Sequence, residues 1–136
     1  MSTDNKIKNT TSQALIFGDN DLVYGLYTKG RLKNFRDKYG GQLLTELPSI
    51  YDVGYDNHWA NYSIAMIQEW CSQGLSIHFD LTGILDMDDI LANRGKYADC
   101  ITSKELRFIK ENLKKLANTV KFYKEEREVQ PPWINE

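Results

Sequence analysis

The stretch "DCITSKELRF", residues 99–108, sets Glu105 three positions after Thr102, where an amphipathic helix is expected to begin. Two chemistries suit a carboxylate there. Thr-x-x-Glu is the pattern of a capping box, in which hydroxyl and carboxylate satisfy the backbone donors exposed at a helix start. A helix N-terminus also favours negative charge, so the same Glu105 is expected to be ionised and able to act on a bound ligand. A second polar group lies in "HFDLTG", where Asp80 and Thr82 precede Gly83. At a strand exit such a pair either closes its own turn or meets a ribose or phosphate, with the glycine allowing close approach of the backbone. Trp59, Tyr24 and Tyr27 are aromatic candidates for stacking on a heteroaromatic ring, against the alternative of simple core packing. "GLYTKG" is no strict phosphate loop, yet Lys29 and Arg31 beside it are suited to a diphosphate.

Composition narrows the classes. With 17 basic and 19 acidic residues the formal net charge is −2, which argues against a phosphate-backbone binder and makes nucleic acid an unfavoured partner. Lysines and arginines gather at 29–38 and 104–124, but acids interleave them, as on a solvated helix face. Cys71 and Cys100 show no metal or disulfide spacing and read as small buried hydrophobes. His58 and His78 offer no ligand pattern either, so neither metal nor resident cofactor is expected. No apolar run is long enough to cross a bilayer. The N-terminal "MSTDNKIKNTTSQ" is polar, and residues 1–12 are expected to be a disordered leader to one domain over 13–136, of ordinary single-domain size.

These groups need elements to position them. "QALIFG" and "LVYGLY" read as one strand or a pair, "TKGRLKNFRDKYGG" as a segment with Leu32, Phe35 and Tyr39 at helical spacing and a Gly–Gly stop, and "QLLTEL" as a further strand. "DNHWANYSIAMIQEWCSQG" reads as a helix with Trp59, Tyr62, Met66 and Trp70 in one stripe. "LSIHFDLTGI" follows as the central strand, "MDDILAN" as a short helix, "TSKELRFIKENLKKLAN" as a helix with Leu106, Ile109, Leu113 and Leu116 inward, and "TVKFY" as a closing strand. Alternation of this kind predicts a small α/β domain, with a mostly parallel sheet of four to five strands flanked by helices. In open parallel sheets ligands bind beyond the carboxyl ends of the strands, which gathers "GLYTKG", "DLTG" and the helix start at Thr102 along one edge.

The stretch "HFDLTGI…YADCITSKELRFI…VKFYKE…PPW" resembles the C-terminal toxin domains of bacterial polymorphic toxins, of the Rhs and contact-dependent inhibition type. The order of a Trp-bearing helix, a strand and then Ser-x-Glu is also similar to the C-terminal half of the ADP-ribosyl cyclase family. This chain lacks that family's many disulfides, and "LDMDDILANRGKYA" lengthens the interval before Ser-x-Glu. The resemblance implies cleavage of the N-glycosidic bond of NAD, with Glu105 as the catalytic acid, Ser103 as its neighbouring phosphate or ribose contact, and Trp59 as a ring-stacking wall. NAD or a related nucleotide is then substrate rather than cofactor. A cognate immunity protein is the implied partner, and the implied place of action is the cytoplasm of a target bacterium, after delivery as the end of a larger secreted protein. Two alternatives stay open: a toxin nuclease acting on tRNA, and a non-catalytic immunity or adaptor protein.

Overall fold

Strands with apolar residues on both faces need cover on both sides, and the computed structural model supplies it in three layers. It describes residues 16–26, 30–47, 57–98 and 100–134, the side chains of 57–60 excepted. In chain order the elements are β1 (Leu22–Gly25), α1 (Arg31–Tyr39), α2 (Asn57–Ser72), β2 (Ile77–Asp80), α3 (Met87–Ala92), α4 (Ile101–Glu111), α5 (Leu113–Leu116), β3 (Val120–Lys124) and β4 (Arg127–Val129), with short 3-10 turns at Leu44–Glu46 and Gly95–Tyr97. The four strands lie in sequence order. β1, β2 and β3 are parallel, and β4 returns antiparallel along β3. The small α/β domain with a mostly parallel sheet is therefore present.

Period-2 alternation sorts the core into two halves. Leu22 and Tyr24, Ile77 and Phe79, and Val120 and Phe122 point to one side, where they pack with Met66, Ile67 and Trp70 of α2 and Leu106 and Ile109 of α4. Val23 and Tyr123 point to the other side, onto Phe17 and the α1 residues Leu32 and Phe35. β2 is buried along its whole length, as expected of the strand between two parallel neighbours.

Several expectations are corrected. "QLLTEL" is not a strand. Gly40 and Gly41 take positive φ values of 104° and 88° to turn the chain back along β1. Only one bridge, Leu22 to Gln42, then forms. Leu43 and Leu44 must enter the two opposite core halves, and the Glu46 carboxylate accepts the Leu43 N–H at 2.9 Å, which winds the segment into a 3-10 turn. The long helix expected after residue 101 breaks at Asn112, whose side chain donates to the Phe108 carbonyl at 2.9 Å. β4 was not anticipated. Cys71 and Cys100 are half-buried free thiols rather than core residues. The leader assigned to 1–12 lies outside the described residues. No helix among the described residues is long and apolar enough to cross a membrane.

Candidate active site

The cap of α4 is Cys100, two residues before the expected Thr102. The Cys100 Sγ accepts the Ser103 N–H at 3.3 Å, and Ile101 is the first helical residue. Thr102 and Glu105 therefore fall inside the helix and form no capping box. Freed from the backbone, the Glu105 side chain points across to α2 and accepts a hydrogen bond from the Ser63 hydroxyl. The same residue's carbonyl accepts from the Tyr24 hydroxyl at 2.8 Å. Ser63 thus ties β1 and α4 together through α2.

Burial decides the charge state. Glu105 is 4% exposed. Among the described residues no cation stabilises it, and desolvation, offset in part by the Ser63 hydrogen bond, pushes its pKa up to about 8. The expected ionised carboxylate is thus a neutral acid at pH 7, since the interior withdraws the water that a charge requires and the helix dipole does not replace it. Glu105 forms one wall of a pocket of about 200 Å³ together with Tyr24, Gly25, Leu32, Leu44 and Thr102. Tyr24 and Gly25 end β1, so the pocket opens at the carboxyl end of the sheet, where ligands of open α/β folds bind. Gly25 has to be glycine: a Cβ there would stand 2.8 Å from the Asp80 carbonyl oxygen and 3.2 Å from Leu32 Cδ1.

The remaining sequence-expected residues divide between this pocket and other places. Tyr24 and Thr102 join Glu105. Ser103 does not: fully buried, it donates its hydroxyl hydrogen to the Ile90 carbonyl at 2.6 Å, fastening α4 to α3. Asp80 and Thr82 line a second cavity of about 360 Å³ on the α1 side of the sheet, with Arg31, Asn34, Lys38, Tyr39 and the two carboxylates Glu125 and Glu126. The Asp80 Oδ1 accepts the Thr82 N–H at 3.1 Å, and burial raises the Asp80 pKa. Tyr27 and the Trp59 side chain lie outside the described residues, as does Lys29.

His78 lines neither pocket. Its ring stacks on Phe17 with centroids 3.7 Å apart, and its nitrogens lie 2.8 Å from Asp21 Oδ2 and 2.8 Å from the Tyr123 hydroxyl oxygen. A wider groove of about 1110 Å³ runs beside β3 and the C-terminal segment, past Leu85, Phe122 and Val129, and contains no buried ionisable group. No group of three or more His, Cys, Asp or Glu side chains among the described residues could hold a metal ion.

Ser63 is the residue that sequence reasoning missed. Its signal was present: Ser63, Met66, Ile67 and Trp70 share the i, i+3, i+4, i+7 spacing of one buried stripe, and a hydroxyl on such a stripe must find a partner. No family model, curated protein or solved structure matches the chain.

Proposed function

We propose that the protein is a toxin domain that cleaves the nicotinamide–ribose bond of NAD, with Glu105 as the catalytic residue. One observation carries the reading: a carboxyl group sits in the wall of a pocket at the carboxyl end of β1, buried beside a single hydroxyl partner. The resemblance of "TSKEL" and its surroundings to Ser-x-Glu enzymes supports the substrate. In the reaction the C1′–N bond breaks and its electron pair leaves with nicotinamide, whose ring becomes neutral. Positive charge then passes to the ribose, and attack by water followed by loss of a proton completes hydrolysis. A carboxylate in a low-dielectric wall stabilises that charge more than it would in water.

A cationic nicotinamide ring entering the pocket supplies the positive charge that Glu105 lacks in the free protein, so binding draws the proton off the acid. Because the carboxylate is the working form, kcat/KM should rise with pH and level off above about 8. A rate that falls through the same range would mean that the neutral acid does the work and would contradict the assignment. The direct test is nicotinamide release from NAD, followed by chromatography, for the wild type and for Glu105→Gln.

One observation favours a second reading. The Ser63 bond gives Glu105 an internal occupation, as in a non-catalytic immunity or adaptor domain. On that reading the chain releases no nicotinamide, and expression of the wild type leaves growth unaffected. On the toxin reading expression arrests growth unless a cognate immunity protein is present, and Glu105→Gln relieves the arrest.

A further inference from the structure

The cavity on the α1 side takes no part in the bond-breaking step, yet three kinds of recognition meet in it. Asp80 ends β2 and is 4% exposed, and among the described residues no cation lies within ion-pair distance of it. The charge of Arg31 reaches it only through space. Arg31 is the first residue of α1, has no ion-pair partner of its own among the described residues, and lies over the β2–α3 loop, where a Cβ on Gly83 would stand 3.0 Å from its Nε. The third element is an aromatic ring. Tyr39 is held by its hydroxyl, 2.6 Å from Glu126 Oε1, and Lys38 neutralises that carboxylate at 2.6 Å. The cavity of about 360 Å³ is of the size that small-molecule sites occupy.

We infer that this cavity binds a nucleoside monophosphate, with the ribose diol on Asp80, the phosphate on Arg31 and the base against Tyr39. A carboxyl at a strand end suits two hydroxyl donors, and a guanidinium suits phosphate oxygens in a bidentate fork. Gly25 links the two pockets: it lines the Glu105 pocket and is the register partner of Asp80, which lines the other. One ligand crossing that glycine would place a nucleotide half in each. The inference rests on the reading of NAD as substrate in one respect only, that AMP is the half of NAD that does not react.

The experiment is calorimetric titration of the full chain with AMP, adenosine and 2′,3′-dideoxy-AMP, repeated on Arg31→Ala and Asp80→Asn. AMP should bind the wild type, and each of the other two ligands should bind about tenfold more weakly or worse, the loss expected for an unmade charge-assisted hydrogen bond. Arg31→Ala should abolish the preference for AMP over adenosine, and Asp80→Asn the preference for AMP over the dideoxy compound. If Asp80→Asn does not fold, the dideoxy ligand on wild type and the exposed Arg31→Ala variant still decide. Absence of AMP binding at millimolar concentration, or preferences untouched by Arg31→Ala, would overturn the inference. Nicotinamide release measured alongside separates the two proposals: release without AMP binding removes this cavity and leaves the reaction, whereas AMP binding without release does the reverse.

Discussion

Glu105 is held neutral by burial and kept from being an unsatisfied polar group by one hydroxyl, so Ser63 and Glu105 have to be considered together. Removing the hydroxyl in Ser63→Ala should cost about 1–3 kcal/mol, since a buried polar partner is stranded, and thermal unfolding measures it. The same change removes the group that lowers the Glu105 pKa. The rising limb of the pH–rate profile should therefore move to higher pH, which a purely structural Ser63 would not cause. Glu105→Gln keeps the shape and the acceptor for Ser63 but cannot ionise. Its fold should be retained while nicotinamide release falls by roughly 100-fold or more, the scale on which removal of a single electrostatic stabiliser is felt. At this scale the sequence was half legible. It offered Glu105, Tyr24 and Thr102 as separate candidates, which the structure brings to one pocket, but it misread the charge of Glu105, because desolvation depends on what α2 lays over the carboxyl and not on the residues beside it in the chain.

Among the elements, α4 carries the site, and its start is weakly made. A thiol is a poor acceptor, so Cys100→Ser should strengthen the cap and raise stability by up to about 1 kcal/mol, read as a higher melting temperature with the pocket unchanged. At the opposite wall, Gly25→Ala would drive a methyl group into the Asp80 carbonyl and Leu32. A cost of about 1–3 kcal/mol is expected, together with loss of nicotinamide release as the edge of the pocket shifts. The helices and the three parallel strands were readable because each carries a periodic apolar pattern. "QLLTEL" misled because two successive leucines entering opposite core halves look like part of a strand. β4 escaped notice because all three of its residues are exposed and its turn, Glu125–Glu126 with φ of 51° and 67°, lacks the Asn-Gly signature usual for such a conformation.

For the whole molecule, the buried groups Glu105 and His78 shape stability against pH with opposite signs. Glu105 has a folded pKa of about 8 against an ordinary value near 4.5, so folding favours its protonated form. Its contribution is full below about 4.5 and is lost as pH rises through about 8, at a slope on the order of 1.4 kcal/mol per pH unit. His78 behaves in the reverse sense: burial lowers its pKa from 6.5, so its contribution is full above that value and lost as pH falls toward the folded pKa. The Glu105 and His78 slopes oppose each other just below pH 6.5, and above that value the Glu105 slope persists to about 8. Chemical denaturation should therefore find stability falling across that interval in the wild type and level in Glu105→Gln. The sequence could not supply this balance, since both groups owe their shifts to burial between distant segments, against which the Ser63 hydrogen bond on Glu105 and the Asp21 hydrogen bond on His78 work only in part.

The central claim is that the Glu105 pocket breaks the nicotinamide–ribose bond, and the rate of nicotinamide release from NAD at pH 8 tests it most directly, with the melting temperatures of wild type and Glu105→Gln taken in the same buffer. Release by the wild type, roughly 100-fold slower release by the variant, and a variant melting temperature equal to or above that of the wild type are the predicted results. No release by a folded wild type, or equal release by both proteins, would contradict the account.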